Sequence, residues 1–296
     1  MNGPDGPSLL TPPGARGVMA ASASTLEHLE PPLKTNTLKA ALRRGEAQVG
    51  TWLSLGSPFV ARYLSRLPFP WFTVDVEHSP VNWESAALMF GAIADAGRIP
   101  LARIPSNSHE NVKRALDNGS FGIVVPMVNT REEAEAAVAA TKYHPRGNRS
   151  VGGTLHALGF AASPAEYYSR ASDEIFVALQ TEHFRSVENA EAICSTPGVD
   201  AIFVGPNDLL QSMGKTPAME TDDREFVDAL RTLRETAARH GVAPGIHVAT
   251  VEQARRRLAE GWRFIAIGSD LSFLLSAAGN AAKELALGES RETARY

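Results

Sequence analysis

The stretch WFTVDVEHSPVNWESAALMFGAIADAGRIPLARI, residues 71–104, decides the fold of this chain. It contains a short apolar run, Phe72–Val76, then an amphipathic helical pattern over Trp83–Ala96 and a second apolar run, Pro100–Ile104. Short apolar runs separated by segments with helical periodicity are typical of parallel strands joined by helices. The stretch therefore predicts one strand–helix–strand unit of an α/β protein.

The same alternation extends in both directions from this stretch. The predicted strands are Thr51–Leu55, Phe72–Val76, Pro100–Ile104, Ile123–Met127, Phe176–Gln180, Ala201–Val204, Gly245–Val248 and Phe264–Ile267. The helices predicted to follow them are Pro58–Leu67, Trp83–Ala96, Asn111–Leu116, Glu132–Thr141, Val187–Cys194, Arg224–His240, Val251–Glu260 and Leu271–Leu285. Eight strand–helix pairs in about 250 residues predict a single (β/α)8 TIM barrel. An open doubly wound sheet is the alternative, but Gly56-Ser57-Pro58 is not the phosphate-binding fingerprint that usually follows the first strand of such sheets.

The first 35 residues differ in composition from the rest of the chain. They hold six of the 19 prolines and four glycines without apolar periodicity, so we do not expect them to offset the entropy of ordering by burying surface. We predict a disordered tail over residues 1–35, the barrel over residues 36–288 and a C-terminal tail over residues 289–296. A basic start and an apolar core of a secretory signal are missing, while Ser and Ala from Met19 to Ser24 leave a mitochondrial presequence as an alternative.

The composition argues against several functional classes. The 296 residues carry a net charge of −4 and no basic footprint for nucleic acid. No apolar run approaches the roughly 20 residues that cross a bilayer. The single Cys194 excludes an intrachain disulfide framework and a cysteine-built metal site. We therefore expect a cytoplasmic protein with neither a nucleic-acid nor a membrane partner.

Two carboxylates follow neighbouring strands of the predicted barrel. Glu182 follows the fifth strand and Asp208 follows the sixth, and the carboxyl ends of all strands meet at one open mouth. Two carboxylates with waters suit Mg²⁺ or Mn²⁺, which prefer oxygen ligands. Each residue could instead be an acid in the first turn of a helix, stabilised by the helix dipole.

Other polar residues also follow predicted strands. Asp75 and His78 end the second strand, and a carboxylate beside an imidazole raises its basicity, although a purely structural contact is as common. Arg103 ends the third strand, where its guanidinium would bind a carboxylate or an enolate oxygen, or form a buried ion pair. His183 and His247 fall at similar positions, but nothing in the sequence distinguishes them from ordinary polar residues of the mouth.

The placement of the lysines bears on the kind of carbonyl chemistry that the barrel supports. None of the lysines (Lys34, Lys39, Lys113, Lys142, Lys215 and Lys283) falls on a predicted strand. A Schiff-base mechanism needs a desolvated lysine in the site, so carbonyl chemistry here would depend on a metal as Lewis acid. A serine hydrolase is also poorly supported, because no G-x-S-x-G motif occurs. The long connection Tyr143–Arg170 is either a functional loop or an incidental insertion.

Three motifs occur in order along the chain: D-x-E-H at residues 75–78, Q-x-E at residues 180–182 and G-P-x-D-L at residues 205–209. Together with Gly50–Leu53, Val125–Val128 and Arg149–Gly152, they make the chain from about Gly50 to about Ala282 resemble the HpcH/HpaI aldolase/citrate lyase family, specifically its metal-dependent (class II) pyruvate aldolases. Each motif alone is weak, but the ordered set is specific.

The resemblance implies a role for each of the residues at the predicted mouth. Glu182 and Asp208 would be the metal ligands, with Mg²⁺, Mn²⁺ or Co²⁺ as cofactor. Arg103 would contact the keto and enolate oxygens, and His78, held by Asp75, would act as acid and base. The implied substrate-binding residues are Trp52, Gln180, Gly205, Asn207 and, as a weaker match to a tyrosine of some fungal relatives that decarboxylate oxaloacetate, Tyr167.

The implied reaction is cleavage of a 4-hydroxy-2-oxo acid to pyruvate and an aldehyde through a metal-stabilised pyruvate enolate. Decarboxylation of oxaloacetate, or decarboxylative carbon–carbon bond formation, would use the same enolate and is the alternative. Lyases of CoA esters match the motifs less well, and a barrel kept only as a binding protein would be expected to have lost part of the polar set. Relatives form homo-oligomers, so a hexamer or trimer with exchange of the last helix is implied, unless Leu271–Leu285 packs on its own barrel.

Overall fold

The computed structural model describes Met1 and residues 34–152, 157 and 159–288. Eight parallel strands follow one another around a closed barrel, and the last pairs with the first. The strands are β1 (Gln48–Leu53), β2 (Trp71–Asp75), β3 (Ile99–Arg103), β4 (Gly122–Val125), β5 (Phe176–Gln180), β6 (Ala201–Val204), β7 (Ala243–Val248) and β8 (Phe264–Ser269). The predicted (β/α)8 barrel is therefore confirmed.

Helices surround this barrel. They are α1 (Thr37–Arg43), α2 (Pro58–Leu64), α3 (Trp83–Asp95), α4 (His109–Asp117), α5 (Arg131–Thr141), α6 (Pro164–Glu174), α7 (Phe184–Glu188), α8 (Ala190–Cys194), α9 (Pro206–Ser212), α10 (Arg224–Arg239), α11 (Val251–Glu260) and α12 (Asp270–Glu284). Among the described residues, no helix is long and apolar enough to cross a membrane.

The chain divides into residues 1–30 and residues 31–296. Except for Met1, the first of these parts lies outside the described residues, as do residues 289–296. The disordered tail over residues 1–35 and the C-terminal tail therefore stay predictions.

Local signals in the sequence explain where the helices begin. Thr130, Thr250 and Ser269 each accept a hydrogen bond from a backbone N–H of the first turn, and each belongs to a reciprocal capping box. The helix predicted over Val187–Cys194 is instead two short helices, α7 and α8, which meet at Asn189. The Asn189 side chain donates to Asn129 O at 2.8 Å, so a tertiary contact accompanies the break.

A layer of aromatic rings fills the barrel beneath its mouth. Phe264 lies 4.5 Å from Trp71 and 5.1 Å from Phe176, measured between ring centroids. Glycine is required beside these rings, because a Cβ at Gly50 would lie 2.2 Å from Trp71 Cδ2 and one at Gly245 would lie 2.5 Å from Ile202 O. The packed interior confines the accessible chemistry to the carboxyl ends of the strands.

The described part of the long connection between α5 and β5 runs beside the amino-terminal ends of the strands. Its buried Arg149 donates to Asp117 Oδ1 at 2.7 Å and to Tyr167 Oη at 3.0 Å. Asp117 ends α4, and helices of a (β/α)8 barrel end at the face opposite the mouth. The described part of this connection therefore packs the barrel and does not form a loop over the mouth.

Candidate active site

A cavity opens at the carboxyl ends of the strands. It is lined by Trp52, Ser54, Asp75, His78, Arg103, Gln180, Glu182, Phe203, Gly205, Pro206, Asn207, Asp208, Met219, His247 and Ser269. Of the residues predicted from the sequence to form the site, all but Tyr167 line this one cavity. The alternation of strands and helices thus brings together side chains that are widely separated along the chain.

Asp75 and Arg103 form a buried ion pair at one side of the cavity. They face each other in the paired strands β2 and β3. Arg103 Nε donates to Asp75 Oδ1 at 2.8 Å, and Nη2 donates to Oδ2 at 2.6 Å. Burial lowers the pKa of Arg103, but the hydrogen bonds and the charge of Asp75 outweigh it and raise that pKa. The guanidinium therefore stays charged and its plane is fixed.

The predicted contact between Asp75 and the His78 imidazole is wrong. Asp75 Oδ1 instead accepts from the backbone N–H groups of Glu77, at 3.1 Å, and His78, at 3.2 Å. Asp75 thus bonds Arg103 and the backbone of the turn, and no hydrogen bond joins its carboxylate to the His78 imidazole among the described residues. His78 Nε2 lies 3.8 Å from Glu77 Oε1, and the His78 side chain is 53% exposed at the rim.

Trp52 forms an aromatic wall of the cavity. The Arg103 guanidinium carbon lies 4.3 Å from the centroid of the Trp52 ring, within the range of a cation–π contact. The His247 ring stacks on Trp52, with 5.6 Å between centroids and 13° between planes. Trp52 Nε1–H is buried and has no hydrogen-bond partner among the described residues.

Glu182 is a buried carboxylate at the end of β5. Its Oε1 accepts from Met127 N–H at 3.1 Å, and its Oε2 accepts from Gln180 Nε2 at 2.6 Å. Burial and the nearby charge of Asp208 raise the pKa of Glu182 to about 8, although the Met127 N–H and the charge of Arg103 act in the opposite direction. Two carboxylates that lie close together repel each other unless a positive charge lies between them.

The geometry around Gly205 tests whether a cation fits these carboxylates. A Cβ built on Gly205 would lie 2.6 Å from Glu182 Oε2 and 3.4 Å from Asp208 Oδ2, so oxygens from β5 and from the segment after β6 converge on one small space. Gln180 Oε1 is buried nearby without a partner among the described residues. Convergent oxygen donors suit a hard divalent cation, so the residues present fit the predicted metal.

The protein supplies only part of such a coordination shell. Among the described residues, no group of three or more His, Cys, Asp or Glu side chains is placed to hold a metal ion. Mg²⁺ is commonly held by one or two carboxylates, with water or substrate oxygens as the other ligands. The assignment of Glu182 and Asp208 as metal ligands stays a prediction.

Tyr167 does not reach the mouth, and its predicted role in substrate binding is wrong. Tyr167 lies on α6, is fully buried, and packs at 5.1 Å from the Phe160 ring. Its Oη accepts from Arg149 Nη1, within the connection that packs beside the amino-terminal ends of the strands. Sequence position alone does not tell at which end of a barrel a long connection lies.

Buried lysines exist, but at the opposite end of the barrel. Lys39 Nζ lies 2.8 Å from Ile175 O and 2.9 Å from Asp200 Oδ2, next to the starts of β5 and β6. Lys142 Nζ donates to Ser172 O at 2.8 Å, and burial lowers its pKa to about 7. No lysine is among the described residues that line the mouth, so neither amine is placed for Schiff-base chemistry there.

Sequence reasoning did not assign several residues of the cavity. Ser54, Phe203 and Met219 line it without having been singled out, and His247 was noted but not distinguished from other polar residues. The strand positions of Phe203 and His247 were visible in the sequence, but their inward orientation depends on the register of the closed barrel. Ser54 and Met219 lie outside the strands.

Comparison with known proteins gives consistent matches over the barrel. The family model of the HpcH/HpaI aldolase/citrate lyases matches residues 48–277. A 5-keto-4-deoxy-D-glucarate aldolase from Shigella dysenteriae serotype 1 (strain Sd197) is 36% identical over 242 residues, which cover 82% of this chain and 93% of that protein.

Solved structures give the same result. A HpcH/HpaI aldolase/citrate lyase family protein from Burkholderia cenocepacia J2315 has a TM-score of 0.80 at 34% identity, covering 85% of this chain and 100% of that one. Macrophomate synthase has a TM-score of 0.72 at 27% identity, covering 84% of this chain and 89% of that one.

Proposed function

The chain belongs to the HpcH/HpaI aldolase/citrate lyase family, and we propose that its mouth cleaves a 4-hydroxy-2-oxo acid to pyruvate and an aldehyde with the help of a divalent cation. Membership of this family makes the protein a carbon–carbon lyase of the aldolase type. The convergence of Glu182 and Asp208 on the space above Gly205 is the observation that supports the metal-dependent reaction best.

Glu182 and Asp208 would hold the cation, Mg²⁺, Mn²⁺ or Co²⁺, which would supply a Lewis acid beside the 2-oxo group of the substrate. Arg103 uses two of its five N–H donors on Asp75 and keeps the others for a substrate oxygen. Since its position is fixed before the substrate arrives, Arg103 stabilises negative charge that develops on the enolate oxygen. Gly205 and Asn207 would contact the substrate carboxylate, and Gln180 would be a polar contact near the cation.

His78 would move the proton. It lies at the rim of the cavity, where its imidazole is exposed and able to accept the proton of the C4 hydroxyl directly or through a water. As the C4–O bond becomes the aldehyde carbonyl, the electron pair of the C3–C4 bond passes to the enolate of pyruvate. Protonation at C3 then completes pyruvate, and the same groups serve the reverse reaction.

The similar enzymes indicate the substrate class of this chain only in part. The Shigella relative is named for 5-keto-4-deoxy-D-glucarate, and a hydroxylated acid of this kind is a candidate substrate here. Oxaloacetate decarboxylation stays the alternative for the same enolate. However, Tyr167 no longer supports it, because that side chain lies outside the cavity.

Replacement of each carboxylate tests the proposed metal site. We expect Glu182→Ala and Asp208→Ala each to abolish metal-dependent cleavage of 4-hydroxy-2-oxo acids, because each removes an oxygen from the convergent pair. Cleavage is measured as pyruvate release over a titration of Mn²⁺. Glu188→Ala and Asp222→Ala, at exposed positions, are matched controls that should keep wild-type rates. Wild-type turnover by either mouth variant after chelation and metal titration would contradict the assignment.

We also propose a homo-oligomer, either a hexamer or a trimer. Of the residues of α12, only Asp270 is buried, and Leu274 and Leu275 are 57% and 41% exposed. Phe59 and Tyr63 of α2 are 71% and 69% exposed. Large apolar side chains exposed on a helix often mark a surface that a partner covers, and exchange of α12 between copies would cover them. A cytoplasmic location stays a prediction.

A further inference from the structure

His247 lines the mouth cavity but has no part in the reaction described above. It lies near the end of β7. Its ring stacks on Trp52 at 5.6 Å and tilts toward Phe203 at 6.4 Å. The orientation of the imidazole is therefore fixed by packing against two aromatic rings.

The hydrogen bond of the imidazole determines its tautomer. His247 Nε2 lies 3.1 Å from Gly268 O, and because a carbonyl oxygen only accepts, Nε2 must carry the proton. Burial, together with the positive charge of Arg103, lowers the pKa of His247 to about 4, although the Gly268 carbonyl opposes this shift. The ring is therefore neutral near pH 7, and its Nδ1 is a lone-pair acceptor.

Nδ1 is available for a ligand. None of the hydrogen bonds among the described residues uses this atom. On β1, which is separated from β7 by β8, the buried Trp52 Nε1–H likewise has no partner in the described part of the chain. An acceptor and a donor without protein partners thus belong to two residues that line the same cavity.

The order of the strands shows which half of the substrate His247 would meet. Arg103, Glu182 and Asp208, which would hold the 2-oxo acid, come from β3, from the end of β5 and from the segment after β6. His247, Ser269 and Trp52 come from β7, β8 and β1, which are consecutive around the closed barrel. The aldehyde-derived half of the substrate would therefore extend over this second set of residues.

We propose that His247 is a specificity-determining residue whose Nδ1 accepts a hydrogen bond from a hydroxyl group on the aldehyde-derived half of the substrate. This inference rests on the proposed function and deepens it, because it names the preferred class: 4-hydroxy-2-oxo acids that carry a further hydroxyl group beyond C4. A site built to bond a hydroxyl discriminates against an analogue that lacks it, since the protein acceptor is then left unpaired.

Two aldehydes that differ by one hydroxyl group test the inference. In the addition direction, kcat/KM is measured with pyruvate and either glycolaldehyde or acetaldehyde, using the full chain with Mn²⁺. The glycolaldehyde-to-acetaldehyde ratio is compared between wild type and His247→Phe, which keeps an aromatic ring against Trp52 but removes the acceptor. We expect the ratio to fall about tenfold or more. Comparing ratios cancels the different intrinsic reactivities of the two aldehydes.

A second and a third variant separate loss of the acceptor from loss of packing. His247→Leu should lower the ratio as His247→Phe does. His247→Asn should restore most of it, because the Asn Oδ1 occupies nearly the place of Nδ1. A ratio that is unchanged in both the Phe and Leu variants overturns the inference, and so does a fall that Asn does not reverse.

The proposed function is tested separately in the same preparations. Exchange of solvent deuterium into the methyl group of pyruvate by the wild type needs no aldehyde. Absence of this exchange with every metal would contradict the proposed function itself. Normal exchange by the wild type with an unchanged aldehyde ratio in the variants would contradict only the role of His247.

Discussion

At the scale of single residues, the Asp75–Arg103 pair is the most constrained feature of the mouth. The carboxylate fixes the plane of the guanidinium with two hydrogen bonds of 2.6 and 2.8 Å. The guanidinium carbon also lies 4.3 Å from the centroid of the Trp52 ring. An arginine is needed here because a lysine has neither the planar fork nor the remaining donors for a substrate oxygen.

Replacement of Arg103 tests this reasoning. We expect Arg103→Lys to lower kcat for cleavage about 100-fold or more, because a fixed donor to the developing oxyanion is lost. Affinity for Mn²⁺ should change much less. Arg66→Lys, at an exposed position, is the control. A kcat for Arg103→Lys within a few-fold of wild type would show that the guanidinium does not stabilise the reacting oxygen.

His247 gives a stability prediction at the same scale. Its pKa is about 4 in the folded protein, below the ordinary value of 6.5, so the unfolded chain binds the proton more readily. The stability that the folded protein gains by keeping His247 neutral is thus fully present above pH 6.5 and is lost as pH falls toward 4. Between pH 7 and pH 5 the free energy of unfolding should fall by about 2 kcal/mol on account of this residue. Urea unfolding at a series of pH values should show that the free energy of unfolding of His247→Phe lacks this part of the pH dependence. The same pH dependence in both proteins would contradict the prediction.

At the scale of elements, local sequence patterns predicted where the strands lie better than they predicted which groups contact one another. β5 and β6 begin and end as the sequence predicts, because each is a short and mostly apolar run with clear boundaries. α1 was missed, since it is fixed by distant groups: Asn36 Nδ2 donates to Phe121 O at 3.1 Å and to Glu174 O at 3.0 Å. A window of sequence does not contain such contacts.

In the candidate site, too, the sequence predicted which residues come together but not which of them contact one another. The position of each residue at or after the end of a strand predicted that one mouth holds Asp75, Arg103, Glu182 and Asp208, because all strands of a parallel barrel end at one face. The partner of Asp75 did not follow, because it depends on the register that places Asp75 opposite Arg103 in β2 and β3. His247 was visible as a polar residue in a strand, but its stacking on Trp52 requires the closed barrel.

Asp270 links two elements around the mouth. At the start of α12, its Oδ1 accepts from Ser54 N–H at 2.8 Å, and its Oδ2 accepts from Leu55 N–H at 3.2 Å. We expect Asp270→Ala to lower the free energy of unfolding by about 2–3 kcal/mol, because two backbone donors lose their partner. Urea unfolding measures the effect, with Asp95→Ala, exposed at the end of α3, as control. Equal stability of the two variants would argue against this link.

At the scale of the whole molecule, the exposed apolar residues of α12 and α2 predict assembly. The wild type should have a mass in solution that is a multiple of the 31.7 kDa chain. Leu274→Glu should lower this mass by placing a charge in the buried contact, whereas Val227→Glu, at a 44% exposed position on α10, should not. Sedimentation equilibrium measures both, and a monomeric wild type would contradict assembly through these faces.

The central claim is that Glu182 and Asp208 bring a divalent cation to the 2-oxo acid bound beside Arg103. Exchange of solvent deuterium into the methyl group of pyruvate tests it most directly, because the exchange requires the enolate but neither the aldehyde nor cleavage. We expect exchange by the wild type that stops on chelation, returns with Mn²⁺, and is absent from Glu182→Ala at every metal concentration. Exchange that persists after chelation, or that Glu182→Ala retains at the wild-type rate, would contradict the claim.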